Sequence, residues 1–484
     1  MRRFFNSVPN ATACGLILTL GYASYLAFGY TLFHPSTMFS AATGPIEGRT
    51  ELLFLVAIIT ARIVAYAVTS VLAALRKLPK LTVTLALACL GAAVGVLVVA
   101  MILTFASFAP DEATIPWMVC AGAFFGLGDA LATLLWGRYC STLSLRHVYL
   151  FVLLSTLVSL GVYLVLVLLP AIFVLPATLA LFLLAVIATK PGIDASPAPL
   201  DEFSLPVFKS AVGSLWRPVL GTAILSFLSA LMLQMPAQQE IPLATFQTTS
   251  LVTQPVVVIA LLVPALFVKK QPELSSIYKV ALPLCAAGFL LLPLLWNDVG
   301  GLANACAQLG TLVANLIVWC MITDTVRDTK LPSAMVFSLA LLAINVSRLA
   351  GTLVAFLNAG TLGRDDLQLT TVALVGVYLV AMISLFILKD KNRKETFSPQ
   401  GPPAVVEPLD ILALKCNALA DSYRFTPRER EITQHLAQGR TVHTISEMLF
   451  VSENTVKSHI KSLYVKLDIH SRAELIDLIS QQEV

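Results

Sequence analysis

Near the C-terminal end of the 484-residue chain, Lys457, Ser458 and Lys461 fall on one side of a single stretch, with Thr455 just before them. Ammonium groups and hydroxyls grouped in this way ion-pair with phosphates and hydrogen-bond to base edges, which is the chemistry of groove recognition rather than of bond breaking. On the same stretch Val456, Ile460, Leu463 and Leu467 repeat at helical spacing and must face a small core. The polar set therefore points outward. A small helical domain of any function also carries surface lysines, so spacing alone leaves that plainer reading open.

Side chains mark the helices that must hold this face. Thr426, Pro427 and Glu429 supply an N-cap, a first-position proline and a capping-box acid for a helix predicted to run to Gln438 and stop at Gly439. Thr441 caps a short second helix ending near Phe450, Ser452 caps a third from Glu453, and Ser471 with Glu474 repeats the capping box for a fourth. Two short helices joined by a tight turn, the second presenting Lys457, Ser458 and Lys461, make a helix-turn-helix suited to a DNA major groove.

The blocks TPRERE, AQG, SENTVKSH and KLDIHSR, in that order, resemble the DNA-binding domain of LuxR-type bacterial transcription regulators, the GerE and FixJ kind, over residues 424–484. The resemblance implies double-stranded promoter DNA as a partner and RNA polymerase as another. It places Thr455, Lys457, Ser458 and Lys461 where the family touches bases and nearby phosphates. His459, Lys466, Ser471 and Arg472 match positions used for packing and backbone contact, so Lys466 and Arg472 join the expected DNA-binding set. Val442 and His443 stand where the family usually has Asn and Lys, and Ser446 where it usually has Ala, which weakens one phosphate contact. From Arg424 onward acids and bases cancel. Non-specific affinity of one copy should then be small, and a homodimer reading two half-sites about one helical turn apart is expected.

The rest of the chain is of another kind. It brings the composition to 57% hydrophobic and 12% charged residues, with mean hydropathy +0.83, against about 25% charged in a soluble domain. This predicts an integral membrane protein in a lipid bilayer. Apolar runs long enough to cross one, about twenty residues each, fall at 11–33, 52–75, 81–106, 115–136, 148–168, 171–189, 213–234, 246–268, 277–296, 301–322, 334–356 and 368–388. Only Pro170 and Pro176 hint at a turn between the fifth and sixth. The charged N-terminus MRRFF precedes a long, polar-dotted run and reads as a retained first span rather than a cleaved leader. Lysine and arginine gather in alternate connections, from Arg2 and Arg3 through Arg76, Lys77 and Lys80 to Lys389, Lys391, Arg393 and Lys394. The intervening loops offer only Arg49 and Arg364. Both termini are thus expected in the cytoplasm of a bacterial inner membrane.

The predicted fold class is all-α: a polytopic bundle of twelve spans over 1–388, in halves 1–189 and 213–388 around a cytoplasmic loop at 190–212, then a small four-helix helix-turn-helix domain at 424–484. Six plus six spans with a central loop resemble the major facilitator superfamily, built from parallel repeats. The basic cluster Arg76, Lys77 and Lys80 resembles that family's loop signature but lacks its glycine and aspartate, which argues against transport. Arg62, Asp129 and Arg348 lie deep in apolar spans, where each charge costs about 2.5–3.5 kcal/mol unless paired or hydrated. Asn304, Gln308, Thr311 and Asn315 share one face of the tenth span. Together these seven residues are candidates for a cavity that binds a small anionic or zwitterionic ligand; interhelical hydrogen bonding and one structural ion pair are the alternative.

Between the two regions, residues 389–423 read as a basic, proline-rich linker followed by a short amphipathic helix from Leu409 to Tyr423. That helix docks either on the helix-turn-helix or on a second copy, and the pattern does not choose. The eight cysteines stand singly, without metal-ligand spacing, and neither a nucleotide-binding glycine loop nor a catalytic Ser, His and acid set appears. No metal, cofactor or enzymatic activity is expected. The function expected is a membrane-embedded transcription regulator controlled by a small ligand; the alternative is a secondary transporter with a regulatory DNA-binding tail.

Overall fold

The structure is a computed structural model, and it describes residues 11–33, 48–105, 111–194, 204–234, 243–267, 286, 308–357, 374–379, 408–423, 425–437, 441–449, 451–469 and 471–480. Among them every regular element is helical, and the chain divides into two compact units, Met1–Gly401 and Pro402–Val484.

In lipid every backbone N–H and C=O must be satisfied within the protein, which leaves the helix as the natural form for long apolar runs. The first unit contains α1 (Ala11–Phe33), α2 (Gly48–Ala74), α3 (Leu81–Phe105), α4 (Asp111–Cys140), α5 (Leu145–Leu168), α6 (Ala171–Asp194), α7 (Leu205–Gln234), α8 (Leu243–Phe267), α9 (Gln308–Thr329) and α10 (Ser333–Leu357). Among the described residues nine of these, all but α8, are long and apolar enough to cross a bilayer; α8 has a shorter apolar segment, Gln254–Phe267. The chain is a multi-pass membrane protein. Of the twelve expected spans, 277–296 lies outside the described residues apart from residue 286, and 368–388 apart from a helical piece at 374–379.

Two boundaries differ from expectation. The central loop expected at 190–212 is shorter, because α6 continues through Pro191 to Asp194 and α7 already starts at Leu205. Packing is the reason: Gly192 lies so close to Tyr139 and Leu18 that an added Cβ would come within 2.7 and 2.8 Å of them. Proline and lysine mark where apolar surface ends, and a packed helix runs past that point. Between α5 and α6 the turn is at Leu169 and Pro170, while Pro176 sits inside α6.

The bundle closes through small residues. A Cβ on Gly122 of α4 would come within 2.7 Å of the Phe54 carbonyl of α2, and one on Gly128 within 2.9 Å of the Ala88 carbonyl of α3. With no side chains there, three helices approach at backbone distance, the main source of attraction where lipid is as apolar as the core. Aromatic rings fill a second layer. Tyr22 meets Trp136 at 4.9 Å and Phe151 at 5.1 Å, and Trp319 of α9 meets Phe337 of α10 at 4.9 Å.

The second unit contains α11 (Pro408–Ser422), α12 (Pro427–Ala437), α13 (Val442–Met448), α14 (Glu453–Leu467) and α15 (Arg472–Ser480). Its own core gathers Cys416, Leu419 and Ala420 of α11 with Ile432, Leu436, Ile445, Val456, Leu463, Leu475 and Ile479. The amphipathic helix left open by the sequence therefore docks on its own domain. Gln434 donates to the Asn417 side-chain oxygen at 3.2 Å, and Arg430 pairs with Asp421 at 2.5 Å. The basic and proline-rich stretch at 389–407 lies outside the described residues.

Candidate nucleic-acid interface and membrane charge cluster

Helix α14 is set at both ends by its own sequence. Ser452, in extended conformation, accepts the Thr455 N–H at 3.1 Å. Asp468 closes the helix at φ 54°, its N–H directed to the carbonyls of Tyr464 and Val465. Val456 and Leu463 are fully buried, whereas Thr455, Lys457, Ser458 and Lys461 are exposed along the opposite side. Lys457 lies 3.6 Å from Glu453, and Glu453 also meets His443 of α13 at 3.0 Å. Among the described residues Lys461 has no ion pair. Ser446, where the family has alanine, is buried and spends its hydroxyl on the His443 carbonyl at 2.7 Å.

The bearing for α14 is a buried carboxylate. Glu429 accepts the Thr426 N–H at 2.8 Å, completing the capping box of α12, and it also accepts Ser462 at 2.8 Å and Lys466 at 2.6 Å. Burial alone would push its pKa up, but the bonds from Lys466, Thr426 and Ser462 outweigh it and hold the carboxyl at about 2. Lys466 is thus engaged with Glu429, and Arg472 donates to the Leu436 carbonyl at 2.5 Å, capping the end of α12. Ser471 caps α15, receiving the Glu474 N–H at 3.3 Å and donating to its carboxylate at 2.6 Å; His459 is half-buried.

In the first unit, Arg62 of α2 and Asp129 of α4 meet at 3.3 Å, and both are buried. Arg62 also reaches the Tyr66 hydroxyl at 3.4 Å, while Tyr25 of α1 and Thr133 of α4 share a 2.6 Å hydrogen bond one turn from Asp129. The Phe33 ring lies against two guanidiniums, with Arg62 5.8 Å and Arg348 of α10 5.3 Å from its centre. The structure thus brings together three of the seven cavity candidates. Gln308 instead accepts Ser229 at 2.8 Å and Thr311 donates to the Leu225 carbonyl at 3.3 Å, both on α7. Asn315 is half-buried on α9, and Asn304 lies outside the described residues.

A family model described as "Bacterial regulatory proteins, luxR family" matches residues 424–479, the stretch that builds α12 to α15. These residues form a LuxR-type helix-turn-helix domain. The nitrate/nitrite response regulator protein NarL of Escherichia coli (strain K12) is 36% identical over 64 residues, 13% of this chain and 30% of that protein. The response regulatory protein YgeK of the same organism is 37% identical over 71 residues, 14% of this chain and 48% of that one. In Bacillus subtilis (strain 168) the transcriptional regulatory protein YhcZ is 36% identical over 52 residues, 11% of this chain and 24% of that protein. The chain spans between about a quarter and a half of these relatives. The membrane unit resembles solved structures of a bacterial homologue of the iron transporter ferroportin, outward-facing. TM-scores are 0.57 and, with soaked iron, 0.55; identities are 12% and 14%, covering 78% of this chain and 98% of that one. Its fold is major-facilitator-like.

Within the LuxR-type domain, the sequence marks the exposed set and the caps, and Glu429 only as a capping acid. Its second role was available in the periodicity, since Glu429 shares a face with Ile432, Thr433 and Leu436, all buried. No pattern pointed to Ser462, or in the membrane unit to Tyr25, Tyr66 and Thr133, because each becomes polar company for a charge only once the helices pack.

Proposed function

We propose that this chain is a membrane-embedded transcription regulator whose LuxR-type domain reads promoter DNA with α14, under control of a small ligand bound in the membrane unit. The observation that carries the DNA half is the outward row Thr455, Lys457, Ser458 and Lys461 on a helix held by Glu429 and capped by Ser452. Lys466 and Arg472, although engaged within the domain, lie on the same helix or just after it and retain donors for the phosphate backbone. Charge balance over 424–484 supports a homodimer, since two copies double the few cations that face DNA. The alternate loading of connections with lysine and arginine supports a bacterial inner membrane with both termini cytoplasmic and two six-span halves, the side on which promoter DNA and RNA polymerase are found. Tethering raises local concentration and favours pairing of the domains. A ligand controls such a protein only through unequal affinity for two states of the bundle.

The test is a chromosome-wide occupancy map of the full-length chain beside Lys457→Ala and Lys461→Ala. Discrete sites lost in both variants are expected; occupancy unchanged by either removes α14 as the reading face. A secondary transporter with a DNA-binding tail is the second reading, favoured by the major-facilitator-like fold. Flux of solutes in proteoliposomes separates the two.

A further inference from the structure

We infer that the ligand of the membrane unit is a small monoanion with a carboxylate head and an apolar body, taken by Arg348 against Phe33; this deepens the ligand-sensing part of the proposed function and rests on it. Asp129 is the one acid in the twelve apolar stretches of the sequence, facing Arg62 and Arg348 in their central parts. It is already committed, 3.3 Å from Arg62 and only 2% exposed. Among the described residues the Arg348 side chain has neither a hydrogen bond nor a close ion pair, and its guanidinium lies 5.3 Å from the centre of the Phe33 ring. Among the described residues the cluster of Arg62, Asp129 and Arg348 therefore carries one positive charge in excess. An arginine does not relieve this by losing its proton.

The same facts choose among ligands. An ammonium group would have to compete for Asp129, which is 2% exposed and already paired with Arg62 at 3.3 Å, and this argues against a zwitterion. A dianion would overcompensate the single excess charge. A carboxylate matches both the charge and the planar fork of a guanidinium. Arg348 is half-buried where Asp129 is closed, so a ligand meets Arg348 first. The Nε of Arg62 is buried without a hydrogen-bond partner and offers a second donor. Phe33, shared by both guanidiniums, and Tyr66, 5.9 Å from Arg62, give the apolar body aromatic surface.

The full-length protein in lipid nanodiscs tests this through its thermal unfolding, titrated at constant ionic strength with acetate, butyrate, benzoate and 3-phenylpropionate. Benzyl alcohol, benzylamine and inorganic phosphate are the neutral, cationic and dianionic controls. The expected result is a saturable rise in Tm with at least one carboxylate and with no control, its midpoint weakened at least tenfold in Arg348→Gln. Without added carboxylate, Arg348→Gln should unfold no lower than the parent, since it loses an uncompensated charge. A flat response to all four carboxylates, an equal response to benzylamine, an unaltered midpoint in Arg348→Gln, or a marked fall in its own Tm would each overturn the inference. No DNA enters the measurement, so its failure leaves DNA recognition standing, and failure of the occupancy map leaves the Tm response standing.

Discussion

Glu429 joins two tasks that are separate in most small helical domains, capping one helix and anchoring the next. Its carboxylate, 4% exposed, is held by Lys466, whose side chain is about one-third exposed at 35%. Replacement Glu429→Gln keeps the shape but leaves Lys466 unpaired and weakens the capping box. We expect a loss of about 2 kcal/mol in the isolated second unit, below the roughly 3–5 kcal/mol of a fully buried pair because water still reaches the lysine. The pH dependence has a definite sign. A carboxyl held at about 2 when folded, against an ordinary 4.5, contributes stability present above pH 4.5 and lost as pH falls toward 2. Urea unfolding followed by circular dichroism should show that acid limb in the parent and a flatter one in Glu429→Gln. Cys416 gives a second check: burial raises its thiol to about 11, so alkylation near neutral pH should wait for unfolding.

At the scale of elements, α14 owes its position to its ends. Ser452→Ala removes the acceptor for the Thr455 N–H and should cost about 1 kcal/mol. Asp468→Gly should act the other way, by roughly 0.5 kcal/mol, since φ 54° strains a side chain and not a glycine. Both are read from urea midpoints of the second unit. In the membrane unit, the contact of α4 with α3 depends on Gly128. Valine there puts a branched side chain where the Ala88 carbonyl stands 2.9 Å from the Cβ, and should lower bundle stability by about 1–3 kcal/mol or reduce yield of folded protein from the membrane. Thermal unfolding in nanodiscs distinguishes this from an effect on the second unit, whose core is separate.

For the whole molecule, the near neutrality of the LuxR-type domain predicts how it binds DNA. With acids and bases cancelling over 424–484, few phosphates are neutralised per copy, so the dependence of affinity on salt should be shallow. Each of Lys457→Ala and Lys461→Ala should reduce the slope of log affinity against log salt by about 0.9 if the lysine contacts a phosphate. A lysine that reads a base should instead cost about 1–3 kcal/mol at its own position in the site. Fluorescence anisotropy over a salt series, on a duplex drawn from the occupancy map, separates these outcomes. A slope unchanged in both variants would mean that other cations meet the backbone.

What the sequence determined by itself was whatever depends on near neighbours in the chain. Caps such as Ser452 and Ser471, the buried stripe of α14 and the apolar runs are local, fixed by side chains within a turn or by the length needed to cross lipid. The cap at Thr426 and Glu429 was legible for the same reason. Only the tertiary structure decided which distant groups share a site: that α11 closes on its own domain, that Glu429 meets Ser462 and Lys466, and that Arg62 and Arg348 share the ring of Phe33 with Asp129 paired to Arg62, while Gln308 and Thr311 bond to α7. Those pairings depend on how helices lie against one another, which backbone-distance contacts at glycines set, and periodicity along one helix carries no record of its neighbour's rotation or depth.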